Sequence, residues 1–164
     1  MLELEGRLVF SDRTRYLLLT VPNSIAIGAF QALNIPGIEI PTWEGDIKFN
    51  AHITVMRPDE IESIGGHVKL NERGKKFKYR IEGIDVADSN SGKYSRYFYY
   101  KVVSPELAQL RRSYGLSGVP TVPFHITFAA RRRNVLRENT IRKAAFYGPI
   151  SEIAARPMRI HWSS

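Results

Sequence analysis

Apolar and polar positions alternate along much of the chain, and the phase of that alternation marks out its elements. Residues 1–13 read as a strand or arm, Leu2 and Leu4 followed by Arg7-Leu8-Val9-Phe10, closed by a polar turn at Ser11-Asp12. Arg15 to Val21 reads as a buried strand. Pro22-Asn23-Ser24 then supplies helix-start chemistry, an early proline and a capping side chain. Ala26, Ala29, Phe30 and Leu33 follow at helical spacing. Residues 34–45 carry Pro36, Gly37, Pro41 and Gly45 and read as a long loop. A strand over residues 47–57 comes next. Strict alternation puts Phe49, Ala51, Ile53 and Val55 on one face, and Asn50, His52, Thr54 and Met56 on the other.

Pro58-Asp59-Glu60 opens a short helix that ends at Gly65-Gly66. Phe77, Tyr79 and Ile81 alternate with Lys78, Arg80 and Glu82. Beyond Gly83 the apolar phase moves to Ile84 and Val86, the shift that a β-bulge produces. After a turn at residues 88–92, Tyr94 to Val103 forms an aromatic strand leading into Ser104-Pro105-Glu106, a helix start with Ser104 as its cap. Leu107, Leu110 and Tyr114 give that helix its stripe, and residues 115–123 form a Gly/Pro loop. The strand that follows begins Phe124-His125-Ile126-Thr127-Phe128 and closes on Arg131-Arg132-Arg133; residues 158–162 read as a last strand.

Two stretches share one order of elements: strand, capped helix, Gly/Pro loop, then a strand containing His-Ile-Thr. They run from Tyr16 to Thr54 and from Tyr97 to Thr127. The expected fold is therefore α+β, a two-lobed, pseudo-symmetric pair of strand–helix units with largely antiparallel sheets lining a central cleft and helices outside. The chain of 164 residues is expected to form one domain over 1–164.

At 43% hydrophobic and 24% charged, the composition is that of a globular protein and excludes intrinsic disorder. The net charge of +8 favours anionic partners such as RNA or nucleotides. With no cysteine, disulfides, thiolate metal sites and cysteine nucleophiles are excluded. No apolar run approaches the length of a membrane span. The first residues lack the layout of a secretory signal, so a cytoplasmic location is expected.

The chemistry concentrates in two triplets, His52-Ile53-Thr54 and His125-Ile126-Thr127. In a strand, the histidine and threonine of each triplet share a face and the isoleucine takes the other. Cleavage of a phosphodiester needs a base for the nucleophile, an acid for the leaving oxygen, and donors for the phosphoryl oxygens. Histidine titrates near ~6.5 and serves as either acid or base. The threonine hydroxyls suit the non-bridging oxygens. One His-x-Thr alone is ordinarily a hydrogen-bonded pair; two copies at matched positions favour a functional reading. Zinc fits poorly, because there is no His-x-His, no cysteine and no carboxylate at ligand spacing. No metal or other cofactor is expected.

On these two triplets the chain resembles the 2H phosphoesterase superfamily, which includes RNA 2′,3′-cyclic phosphodiesterases, 2′-5′ RNA ligase-like proteins and viral relatives. The strand from Tyr97 to Val103, the helix from Leu107 to Tyr114 and the Pro123-Phe124-His125 approach are similar to the second lobe of the RNA cyclic phosphodiesterases. The resemblance covers roughly residues 14–130. It implies metal-independent attack on a 2′,3′-cyclic phosphate or a 2′-5′, 3′-5′ or cyclic oligonucleotide linkage, with His52, Thr54, His125 and Thr127 as catalytic residues. The expected partner is an RNA end or a small cyclic nucleotide, with no membrane and no obligate protein partner.

Further candidates for substrate binding are Arg131, which strict alternation places with His125 and Thr127, and Trp43 in the long loop. Tyr97 and Tyr99 have the opposite phase to Tyr94, Phe98 and Tyr100. One set belongs to the core and the other is available to stack on a base. His67 and His161 read as incidental surface histidines. The alternative to an enzyme is a non-catalytic RNA- or nucleotide-binding module using the same groove.

Overall fold

The computed structural model describes residues 2–42 and 49–133. Trp43, His161 and the strand expected at 158–162 lie outside the described residues. Within them are a six-stranded antiparallel sheet and three α-helices. In chain order these are β1 (Glu3–Phe10), β2 (Leu17–Thr20), α1 (Asn23–Leu33), β3 (His52–Met56), α2 (Pro58–Ser63), β4 (Lys76–Asp88), β5 (Tyr94–Val103), α3 (Pro105–Ser113) and β6 (His125–Arg132). Among the described residues no helix is long and apolar enough to cross a membrane.

The strands are ordered β3-β2-β1-β4-β5-β6, with every neighbouring pair antiparallel. The strands carrying the triplets are thus the two edges, yet β3 and β6 touch. A twisted sheet coils as strands are added, and here the coiling brings its edges together. Gly6 permits the tight join between β1 and β2. A side chain there would collide with the Thr20 carbonyl and press on Leu19.

The helix after β2, α1, packs on β6, whereas the helix after β5, α3, packs on β4 and β3. Leu8, Leu17, Leu19, Ile53, Val55, Leu107, Leu110, Ile126 and Phe128 form one buried cluster. Ile53 and Ile126, the middle residues of the triplets, are fully buried in it. Each such side chain contributes roughly 1.5–3 kcal/mol, so the core enforces the phase that turns each histidine to the opposite face.

Helix α3 starts as expected, Ser104 Oγ accepting from Leu107 N at 3.1 Å. The bulge in β4 also lies where the apolar phase shifts, between Ile81 and Gly83, with Glu82 the extra residue. The α1 cap differs. Its N-cap is Pro22 with no side-chain bond, because the Asn23 side chain is used elsewhere.

Candidate active site

Each triplet lies at the start of an edge strand, and each is followed by a break in the strand register. In β3, Leu18 pairs with Thr54 and Leu17 with Met56, which leaves Val55 as an extra residue. In β6, Tyr99 pairs with Thr127 and Phe98 with Ala129, which leaves Phe128 extra. A bulge of this kind sets two residues against one, and consecutive side chains point the same way. Val55 with Met56, and Phe128 with Ala129, are accordingly all buried, each at 0% exposure.

This corrects two assignments made by strict alternation. Met56 belongs to the core, not to the face of His52 and Thr54. In β6 the bulge reverses the phase, so Ala130 joins the face of Tyr97 and Arg131 the opposite one, paired with Arg96. The Arg131 guanidinium reaches the Pro36 carbonyl at 3.4 Å. It does not share the face of His125 and Thr127.

The two imidazoles are held alike. Nδ1 of His52 bonds the Asn50 carbonyl at 2.8 Å, and Nδ1 of His125 bonds the Pro123 carbonyl at 2.7 Å. A carbonyl only accepts, so Nδ1 carries the proton and Nε2 is the acceptor in each neutral ring. The backbone before each ring is pinned in the same way. Val21 N donates to the Ala51 carbonyl at 3.3 Å, and Val102 N to the Phe124 carbonyl at 3.1 Å. The Asn23 side chain adds a clamp, Oδ1 accepting from Ala51 N at 2.8 Å and Nδ2 donating to the Phe49 carbonyl at 3.3 Å.

Both triplets face the same side of the sheet. His52 pairs with Thr20, whose hydroxyl accepts from Arg7 N, and Arg7 pairs with Lys76. From Lys76 the phase runs through Lys78 to Arg80, which pairs with Val103. Val103 shares its face with Lys101, and Lys101 pairs with His125. Positive charge on His52 acts on His125, lowering its pKa alongside a larger effect of burial. Against these, the Pro123 hydrogen bond stabilises the charged ring, and the net result is a pKa of about 4. His125, at 7% exposure, is therefore neutral near pH 7, while His52 is partly exposed.

The open choice between tyrosine sets resolves by register. Tyr97 and Tyr99 lie on the His125 face, whereas Phe98 and Tyr100 turn to the core. Tyr99 packs edge-on against the His125 ring, centroids 5.6 Å apart and planes at 71°. Burial, reinforced by the Asp85 charge, pushes the Tyr99 hydroxyl up to about 12. Tyr97, also raised to about 12 chiefly by burial, packs edge-on against Tyr94 at 5.7 Å in a small cluster with Ala130. His67 has a local partner set of its own, stacked on Phe10 at 4.6 Å and bonded to Arg15 at 3.1 Å.

Sequence reasoning missed Arg111. It is almost wholly buried in α3, and its guanidinium donates to the Val55 carbonyl at 2.8 Å, to Glu60 at 2.6 and 3.1 Å and to the Ser117 carbonyl at 2.6 Å. The signal was its place in the apolar stripe, between Leu110 and Tyr114 at core spacing. Among the described residues, no group of three or more His, Asp or Glu is placed to hold a metal ion.

Comparison with known proteins gives the family. Residues 15–136 match the family model described as Swiss Army Knife, 2H phosphoesterase domain, a span that contains both triplets. No curated protein and no solved structure matches the chain. The matched span covers well over half of the 164 residues, and the chain belongs to the 2H phosphoesterases.

Proposed function

We propose that the protein is a metal-independent phosphodiesterase that hydrolyses a nucleotide phosphodiester by paired-histidine acid–base catalysis. The linkage is a 2′,3′-cyclic phosphate, a 2′-5′ bond or a cyclic oligonucleotide bond. The observation that carries this reading is the matched tethering of His52 and His125. Each has Nδ1 committed to a carbonyl two residues back, which makes Nε2 the acceptor atom of the neutral ring, and both rings belong to one face of the sheet.

On this reading β1-β2-α1-β3 and β4-β5-α3-β6 are two related halves around a shared cleft. The strand order, the bulge after each threonine and the exchanged helices all support it. His125, kept neutral by burial, takes the proton of water or of a ribose hydroxyl as its oxygen attacks phosphorus. His52, the more exposed of the two rings, protonates the leaving oxygen as the P–O bond breaks. Thr54 and Thr127 donate to the non-bridging oxygens.

The test is hydrolysis of a panel of such nucleotides in EDTA. Wild type turns over at least one of them, and His52→Ala and His125→Ala each lose ~10²–10⁴ in kcat. Activity that needs a divalent metal, or that survives both substitutions together, rules the reading out. Tight, salt-sensitive binding with no product points instead to a binding module.

A further inference from the structure

A cavity of about 400 Å³ is lined in part by neighbours of His125. Three of its lining residues also touch or flank that imidazole. Tyr99 packs on the ring, Pro123 supplies the carbonyl that holds Nδ1, and Lys101 is the cross-strand partner of His125. The remaining walls are largely apolar, with Val103, Pro105, Val119 and Phe124 among them. This volume is in the range of small-molecule sites, about 300–1,000 Å³.

Two charged side chains interrupt the apolar lining, Lys101 and Glu82. Glu82 is there because of the β4 bulge. Ile81 pairs with Val102 and Gly83 with Lys101, so the extra residue is set beside Gly83 on the Lys101 face. The Glu82 side chain forms no hydrogen bond or ion pair with any described residue. An apolar slot with one acceptor-only group at its mouth suits a flat heteroaromatic ring that presents N–H donors.

We propose that this cavity seats a nucleobase of the substrate and that Glu82 makes guanine the preferred one. The inference rests on the nucleotide phosphodiesterase reading above. An ionised carboxylate accepts through both oxygens and donates nothing. Of the four common bases, guanine alone offers two adjacent donors, N1–H and the N2 amino group. Adenine, cytosine and uracil each set an acceptor next to a donor, which faces the carboxylate with a lone pair. Lys101, between the cavity and His125, is placed to meet the phosphate charge.

The experiment compares the four 2′,3′-cyclic mononucleotides as substrates and the four 5′-mononucleotides as calorimetric ligands, using wild type, Glu82→Gln and Ala108→Phe. The expected result is at least about tenfold preference for guanine in kcat/KM and in Kd. Glu82→Gln abolishes the preference, bringing the guanine values down to the level of the other three. Ala108→Phe, which fills the slot, weakens every base. Equal binding of all four bases by wild type, or a guanine preference unchanged in Glu82→Gln, overturns the proposal while leaving histidine-dependent hydrolysis standing. Loss of turnover on every substrate counts against the catalytic reading, and the calorimetric comparison still decides the base.

Discussion

Arg111 in α3 donates to the main-chain carbonyl of Val55, the bulged residue directly after the His52 triplet, at 2.8 Å. Helix α3 thus fixes the backbone that sets the phase of strand β3. Burial raises the Glu60 pKa, but hydrogen bonds from Arg111 and the Arg57 amide, with both positive charges, outweigh it and leave it lowered. Removing one member of a buried ion pair costs about 3–5 kcal/mol. Arg111→Ala should lose about 3 kcal/mol in urea unfolding. Arg111→Lys should also lose activity, because an ammonium does not span the Val55, Glu60 and Ser117 acceptors. An Arg111→Lys protein with wild-type kcat would show that the clamp does not position the triplet.

Titration of His125 carries a stability consequence whose sign follows from burial. Its pKa is about 4 in the folded protein against an ordinary 6.5, so the unfolded chain binds more protons between those values. Stability is therefore greatest above pH 6.5 and falls as pH drops towards 4, by roughly 3 kcal/mol in all. Glu60, with its lowered pKa, adds a further loss as pH falls below 4.5. Urea melts of wild type and His125→Asn from pH 4.5 to 7.5 should converge at the acid end. Parallel curves across that range would show that His125 is not the buried neutral ring described.

The threonines give a prediction separate from acid–base loss. Thr54 lies opposite Leu18 and Thr127 opposite Tyr99, each on the face of its histidine. If both donate to phosphoryl oxygens, Thr54→Val and Thr127→Val each lose about 2–4 kcal/mol of transition-state stabilisation. The loss should appear in kcat with little change in KM and little shift in the pH profile. A change confined to KM would make them ground-state contacts only.

Much of this site was legible in the sequence because burial and chemistry alternate with the same period in each triplet. His-Ile-Thr can face only one way once Ile53 and Ile126 enter the core. Legibility ended one residue later. Val55-Met56 and Phe128-Ala129 are consecutive apolar pairs, and a pair inside a strand fits either a strict alternation or a bulge. Only the cross-strand register separates the two, and register depends on contacts distant in sequence. The packing of α1 on β6 and the reach of Asn23 to residues 49–51 are non-local in the same sense. Arg111 was visible as a charge in an apolar stripe, but its acceptors were not.

The bulge after Thr127 yields the sharpest comparison between two candidate substrate contacts. Both Tyr99 and Arg131 appeared as substrate contacts, and register separates them. Tyr99 lies against the His125 ring, while Arg131 turns to the other face and towards Pro36. Aromatic packing of that kind adds about 0.5–1.5 kcal/mol beyond burial, so Tyr99→Ala both loosens the ring and admits water. The expected outcome is a loss of about tenfold or more in kcat/KM, equivalent to ~1.4 kcal/mol. Admission of water also raises the His125 pKa, which moves the acid limb of the pH–rate profile upward. Arg131→Ala should leave kcat/KM within about twofold and the pH profile unchanged, its effect confined to anchoring the segment around Pro36. If Arg131→Ala instead cuts kcat/KM as deeply as Tyr99→Ala, the guanidinium reaches the substrate and the phase reversal at Phe128 does not govern the site.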